Sequence, residues 1–314
     1  MNEFDYNRFK ITDRCIEKAD PDLSGDIIIP EGIECIRADA FSKNHNITSV
    51  SFPKSIRRIE ECAFACCIKI QKIIFPDSLP ELTLGPYVFC GGDSLVYINL
   101  PKGLTVIPKC AFTGCEKLSS LKIPSDVTEI QLFAFSQTLM EKEYMESGDD
   151  CFYVDNWLIK IRQKHIKELN IREGTVGVAV WASHHDRYGS NQIDIVRLPS
   201  SLKYLNWGAL HYTAQYELDL NSVEYIANFA LEHCRIKTLH IPPTCQYFGL
   251  ENLGMGCHFD HVYFHNDSTL IDDSRESFGN EHPITIHGYK WSTAYYLCQN
   301  LGEKYSLTFE EIER

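Results

Sequence analysis

The stretch Ile98–Pro124, INLPKGLTVIPKCAFTGCEKLSSLKIP, decides how the chain is read. Ile98 and Leu100 alternate with polar neighbours, the period of a short strand with one buried face. Pro101 ends that strand, because proline has no N–H to give to a ladder. Leu104 and Ile107 follow three residues apart, then Ala111-Phe112, Cys115 and Leu118. Leu121 and Ile123 open the strand pattern again, and Pro124 closes it.

Copies of this unit fill most of the chain. Pro30, Pro53, Pro76, Pro101 and Pro124 stand 23, 23, 25 and 23 residues apart, and Arg172, Pro199, Asn221, Pro242 and His265 continue the series after a gap of 48. Apolar pairs sit three and six residues past the anchors (Ile56/Ile59, Leu104/Ile107, Leu202/Leu205), and Ala-Phe or Ala-Leu ten and eleven past (Ala40-Phe41, Ala63-Phe64, Ala134-Phe135, Ala209-Leu210). Ala182-Ser183 and Asn252-Leu253 are degraded copies of that step. A repeat of this length with one strand per copy predicts a leucine-rich-repeat-type solenoid with a parallel sheet of short strands. One unit cannot bury its apolar side alone, so stacked copies share a continuous core.

The pattern I-P-x-x-[VIL]-x-x-I-x-x-x-A-F-x-x-C-x-x-L resembles the BspA-like leucine-rich repeats. It is nearly intact in the copies at Pro53 and Pro101, and the resemblance covers Ile27–Tyr289. The closing ITIHGYKWSTAYYLCQN is similar to that family's terminal repeat, in which a Gly-Tyr turn leads into a short helix. The resemblance implies a curved repeat protein used for binding, often on bacterial surfaces, with no common catalytic residue.

The expected organisation is an N-terminal capping hairpin over 1–25, a solenoid of about ten repeats of 21–27 residues over 26–286, and a C-terminal cap over 287–314. Insertions interrupt the array near 139–167, 184–191 and 265–283. Leu139–Asp150 reads as an acidic helix broken at Gly148. Cys151–Lys160 reads as a hairpin turning at Asp155-Asn156, and Trp291–Leu301 as a helix capped by Ser292 and stopped at Gly302.

Composition excludes several function classes. The net charge of −13 argues against nucleic acid and anionic membranes, which need clustered Lys and Arg. No apolar run reaches the ~18 residues of a membrane span. The opening MNEFDYNRFKITDR has no apolar core of a signal peptide, which points to the cytoplasm; a cell-surface or secreted protein whose leader has been removed is the alternative. The 13 cysteines agree with a reducing compartment. Cys67, Cys115 and Cys234 repeat three residues after the Ala-Phe or Ala-Leu step, as an interior ladder of small apolar side chains.

Alternation places two columns on the solvent side of the strands, which a solenoid curves into a concave face. The inner runs Ile28, Ser51, Ile74, Asn99, Lys122, Asn170, Arg197, Asp219, His240, Tyr263, and the outer includes Tyr97, Glu168, Ile195, Glu217 and His261. The candidate binding residues are Tyr97, Asn99, Lys122, Arg197, Glu217, Asp219, His240, His261 and Tyr263, with Arg197 and Tyr263 as anchors, since interfaces concentrate energy in Arg and aromatics. Histidines on this face make affinity for a partner pH-dependent between about 5.5 and 7.5.

The sharpest alternative chemistry is Cys257-His258-Phe259-Asp260-His261 with His265, whose residue types bind zinc. Its spacing matches no zinc motif, and His261 and His265 stand roughly 13 Å apart along a strand. His184-His185-Asp186 is a weaker polar loop. No phosphate loop, nucleophile elbow or dinucleotide fingerprint occurs. The sequence therefore predicts a non-catalytic scaffold for a protein partner, without cofactor or metal. A surface adhesin for matrix protein or glycan is the second reading, and a metal-dependent enzyme on the insertions a remote third.

Overall fold

The computed structural model describes residues 5–162, 164–183, 192–254, 256–272 and 282–313. The chain forms two compact units, Met1–Asp149 and Asp150–Arg314, divided within the 139–167 insertion. Each is a β-solenoid. His184-His185-Asp186, and the 273–281 part of the third insertion, lie outside the described residues.

In the first unit the anchor strands Ser24–Ile28, Asn46–Ser51, Lys72–Ile74 and Tyr97–Asn99 form one parallel sheet. Its register aligns Ile28, Ser51, Ile74 and Asn99, the column that alternation predicts. Val50, Phe52, Ile73 and Phe75 point inward and are buried. The anchor proline converts strand into turn: its carbonyl accepts the amide three residues on, as in Ile56 N to Pro53 O at 3.3 Å and Val127 N to Pro124 O at 3.1 Å. Leu121 and Ile123 are buried, yet the segment is not a strand, so the quoted stretch opens with a strand and closes without one.

Two further sides close each coil. The +6 apolar residue lies on a two-residue strand, such as Cys35–Ile36 or Arg58–Ile59, in a second sheet with Ser78–Leu84 and Lys102–Leu104. The Ala-Phe step makes the third side, where the Phe amide donates to the carbonyl at the Ala position of the next coil: Phe41 to Ala63 at 2.8 Å, Phe64 to Val88 at 2.9 Å, Phe112 to Ala134 at 2.9 Å. The residue before the Ala position takes a left-handed backbone in coil after coil, with φ of 55° at Asp39, 56° at Cys62, 58° at Tyr87, 55° at Cys110 and 61° at Phe133. The phenylalanines stack from coil to coil, with centroids 4.6 Å apart for Phe41–Phe64, 5.8 Å for Phe89–Phe112 and 5.6 Å for Phe112–Phe135. In the second unit Leu210, Leu231 and Leu253 take their place. The degraded Asn252 is buried there, and its amide group serves three backbone partners: Ala227 O, Gly249 O and Leu231 N.

Each unit begins with a hairpin and has a helix toward its C-terminal end. Phe9–Thr12 pairs with Cys15–Ala19 across Asp13-Arg14, both left-handed, and Ile16 then pairs in parallel with Ile36. The hairpin turns at Asp13-Arg14, and a second turn at Pro21-Asp22, closed by Leu23 N to Asp20 O at 3.1 Å, leads into the first anchor strand. In the second unit Cys151–Val154 pairs with Trp157–Ile161, whose Leu158 pairs with Val178. That hairpin is the first rung of a seven-stranded sheet rather than a decoration on a loop. Gly177 lies in register between Trp157 and Tyr204, and a Cβ there would meet the indole at 2.5 Å; its bareness lets the two rings stack at 6.0 Å. The helix Leu139–Ser147 has Thr138 as N-cap and Gly148 as left-handed C-cap. The helix Thr293–Tyr305 is capped by Ser292 but runs past Gly302 to Ser306. Gly302 is not a stop: a Cβ there would meet Leu307 O at 2.9 Å, so it serves a close packing contact.

Candidate functional site

The nine candidate residues divide between the units, and the sheet treats them differently. Tyr97 is 51% exposed on the last anchor strand of the first unit. Asn99 is held by the scaffold. Its Oδ1 accepts from Phe75 N at 2.9 Å and its Nδ2 donates to Phe75 O at 2.7 Å, so its side chain extends the ladder rather than facing solvent freely. Lys122 is exposed but stands outside any strand.

In the second unit Arg197 ends the strand Ile193–Arg197 opposite Asn170. It is exposed and its Nε is ion-paired with Glu168. The remaining five meet on one sheet of five strands: Ala214–Asp219, Arg235–Ile241, His261–Phe264, Ile284–Gly288 and Leu307–Glu311. Its register aligns Asp219, His240, Tyr263, His287 and Glu310. One strand spacing apart, the three rings stack: His240 on Tyr263 at 4.7 Å and 16°, and Tyr263 on His287 at 4.0 Å and 5°.

Two short chains, each a carboxylate beside a hydrogen-bonded histidine pair, flank the phenol. On one side Glu217 Oε1 lies 3.2 Å from His240 Nε2, and His240 Nδ1 is 3.1 Å from His265 Nε2. On the other, Glu310 Oε2 lies 3.5 Å from His287 Nδ1, and His287 Nε2 is 3.0 Å from His261 Nδ1. Burial is the main cause holding His265 and His287 below the ordinary imidazole range. The neighbouring imidazole of His240 adds to this at His265, where Asp219 opposes it. At His287, Glu310 opposes the shift while His261 and His240 reinforce it.

His287 and Glu310 were not singled out from sequence, and His265 was named there only as an anchor and in the metal cluster, not among the nine binding candidates. His265 occupies an anchor position, one residue past the strand. The other two follow the column beyond Tyr263, and the alternation of Ile284 and Ile286 with Thr285 and His287 would have found the histidine.

The Cys257–His265 cluster is not one site. Cys257 belongs to the interior ladder, its Sγ donating to Leu231 O at 3.1 Å, as Cys67, Cys115 and Cys234 donate to Phe41 O, Phe89 O and Leu210 O. Burial pushes the Cys67, Cys115 and Cys257 thiols up to about 12, and Cys234 well above its usual value. Phe259 is buried. His258 lies against His282, with ring centroids 4.8 Å apart and tilted by 39°, beside a shallow cleft lined by Arg235, Lys237 and Asp260. Among the described residues, no three His, Cys, Asp or Glu side chains converge on one point. Among them, too, no helix is long and apolar enough to cross a membrane.

Comparison with known proteins bears on the scaffold. A family profile described as the BspA type leucine rich repeat region matches residues 22–142, 82–172 and 185–282, in six copies. No curated protein matches the chain. Solved structures similar to it include a leucine rich cell surface protein from Faecalibacterium prausnitzii A2-165, at 15% identity over 78% of this chain and 90% of that one with a TM-score of 0.33. A leucine-rich repeat protein from Bacteroides ovatus ATCC 8483 is 17% identical over 95% and 87%, with a TM-score of 0.34. The pneumococcal vaccine antigen PcpA is 15% identical over 96% and 92%, with a TM-score of 0.35. With the profile spanning most of its length, the chain belongs to the BspA-type leucine-rich repeat family.

Proposed function

We propose that this protein is a non-catalytic binding scaffold for another protein, and that the partner docks on the outward face of the anchor-strand sheet in the second unit. The observation that carries the reading is the ring column His240–Tyr263–His287 at the middle of a five-stranded sheet. Stacking fixes Tyr263 before any partner arrives, so little side-chain entropy is lost on docking. Glu217, Asp219 and Glu310 rim the column with exposed carboxylates, and Arg197 adds a guanidinium. Repeat proteins commonly bind through such extended faces. The rim favours a partner that offers basic side chains.

The reading places the protein in a reducing compartment, in keeping with a chain of 13 cysteines, an odd number, several of them in an interior ladder. The second reading, a surface adhesin for matrix protein or glycan, draws on strongly exposed aromatics such as Trp291 and Tyr216. The test begins with capture of a partner by the intact chain, followed by titration of Arg197→Ala and Tyr263→Ala. Each substitution is expected to weaken binding by about 1 to 3 kcal/mol with the fold retained. Unchanged affinity in both, with binding abolished by a deletion within 139–150 or 265–283, would transfer recognition to the loops.

A further inference from the structure

A basic cleft lies beside the same sheet as the ring column, at the end where the strands begin. Arg235 and Lys237 flank the buried Ile236, so both point outward. One coil on, His258 and Asp260 flank the buried Phe259 in the same way. The backbone sets Arg235 beside His258 and Lys237 beside Asp260, whose amide donates to Lys237 O at 2.9 Å. These four side chains line an open cleft of about 440 Å³, and the His282 ring, 4.8 Å from that of His258, extends the first row. We propose that the cleft binds an oxyanion of the phosphate and sulfate class.

Charge sets the preference. The chain carries a net −13, yet here two fixed cations and two imidazoles gather around one carboxylate. Arg235 is exposed, and among the described residues nothing is paired with its guanidinium, whereas that of Arg197 is ion-paired with Glu168. A planar guanidinium presents its N–H donors as a fork that matches two oxygens of a tetrahedral oxyanion. His258 adds an N–H donor even when neutral. Lys237 lies 3.9 Å from Asp260, both side chains 62% exposed, and 5.8 Å from the centre of the Tyr216 ring. An ion pair so exposed contributes little, so Lys237 turns to a bound anion at small cost and leaves no buried charge uncompensated.

Among the described residues Asp260 is the one carboxylate lining the cleft. It repels an anion placed there and competes with it for Lys237, so its removal strengthens binding, an effect that a purely structural role for the pair does not produce. Arg235 stands five residues before His240 on one strand, roughly 16 Å at 3.3 Å per residue. The oxyanion site is therefore separate from the ring column and does not rest on the docking of a protein there.

The experiment is a phosphorus NMR titration of the full chain with phenyl phosphate, in a phosphate-free buffer of low ionic strength, where the attraction is least screened. The parent is expected to broaden the signal saturably, and an excess of inorganic phosphate or of sulfate to reverse it. Equal affinity for inorganic phosphate identifies the free ion as the ligand, whereas tighter binding of phenyl phosphate identifies an oxyanion carried on a larger molecule; both support the site. Arg235→Gln should weaken binding at least tenfold and Lys237→Gln severalfold, while Asp260→Asn should tighten it. Lys102→Gln, an exposed change in the first unit, should leave it as it is. Broadening that does not saturate, that persists undiminished in folded Arg235→Gln, or that weakens in Asp260→Asn overturns the proposal. If Arg235→Gln fails to fold, Lys237→Gln decides in its place. No protein partner enters the titration, so failure here leaves the docking reading standing.

Discussion

Phe112→Ala tests whether the first unit is held together as described. The Phe112 ring is fully buried and lies between Phe89 and Phe135 at 5.8 Å and 5.6 Å, all three near parallel. Truncation removes its transfer energy, leaves a cavity that neighbouring backbone cannot fill, and breaks two aromatic contacts. Buried Phe→Ala changes cost about 3 to 5 kcal/mol. The upper half of that range applies, because the amide of Phe112 is tied to Ala134 O at 2.9 Å and limits collapse of the coil around the hole. Phe133 is the internal control: it is 50% exposed with φ 61°, so Phe133→Ala removes little buried contact and should change stability by under about 1 kcal/mol. The assay is a urea melt of both variants beside the parent, followed by far-UV circular dichroism and fitted for the transition of Met1–Asp149. A Phe112→Ala variant within 1 kcal/mol of the parent, or no more destabilised than Phe133→Ala, would refute the stacked core.

Asn99→Ala should cost about 1 to 2 kcal/mol in the same melt, since two backbone groups of Phe75 lose their partners; from sequence alone, as an outward polar residue, it would be expected to cost under about 0.5. Stability of the second unit should fall as pH drops. His265 and His287 are held below the usual imidazole value of 6.5, so the unfolded chain takes up their protons first. Their contribution is complete above about 6.5 and is lost as pH falls through the lowered folded values; a His265→Gln/His287→Gln variant melted at pH 7.5 and 5.5 should show a smaller difference than the parent. Thiol labelling followed by mass spectrometry should modify the exposed Cys66 first and the ladder cysteines Cys67, Cys115, Cys234 and Cys257 only after unfolding. Rapid labelling of the ladder in native protein would contradict its hydrogen-bonded interior.

The proline-anchored repeat made much of the fold legible, because proline fixes both the end of a strand and the phase of its alternation. Counting back from each anchor aligned Ser49 with Lys72 and Tyr97, and Asp219 with His240 and Tyr263, which are the pairs the ladders make. The second sheet was not legible. Repeated rungs such as Cys35–Ile36, Arg58–Ile59 and Tyr204–Leu205 are two residues long, too short for a period, and hydrogen bonding between coils rather than side-chain pattern defines them. The hairpin at Cys151–Ile161 was readable as a hairpin but not as a starting rung, since nothing local says what its outer edge will meet. The histidine pairs escaped for a related reason. His261 and His265 are far apart along one strand, yet each meets a partner from a neighbouring coil, 26 and 25 residues away in the chain.

The two hairpins have a consequence for how the stack is put together. A solenoid coil takes its register from the apolar pattern it shares with its neighbours, but the first coil of a stack has a neighbour on one side only. An antiparallel strand joined by a tight turn has its alignment dictated by covalent connection, so it acts as a ruler against which the first parallel rung is laid. This chain carries two such rulers, at Phe9–Ala19 and at Cys151–Ile161. Counting therefore starts afresh at the second hairpin, inside the second unit. Coils can then be gained or lost in whole multiples between the first ruler and its helix, while the histidine column, measured from the second ruler, keeps its place.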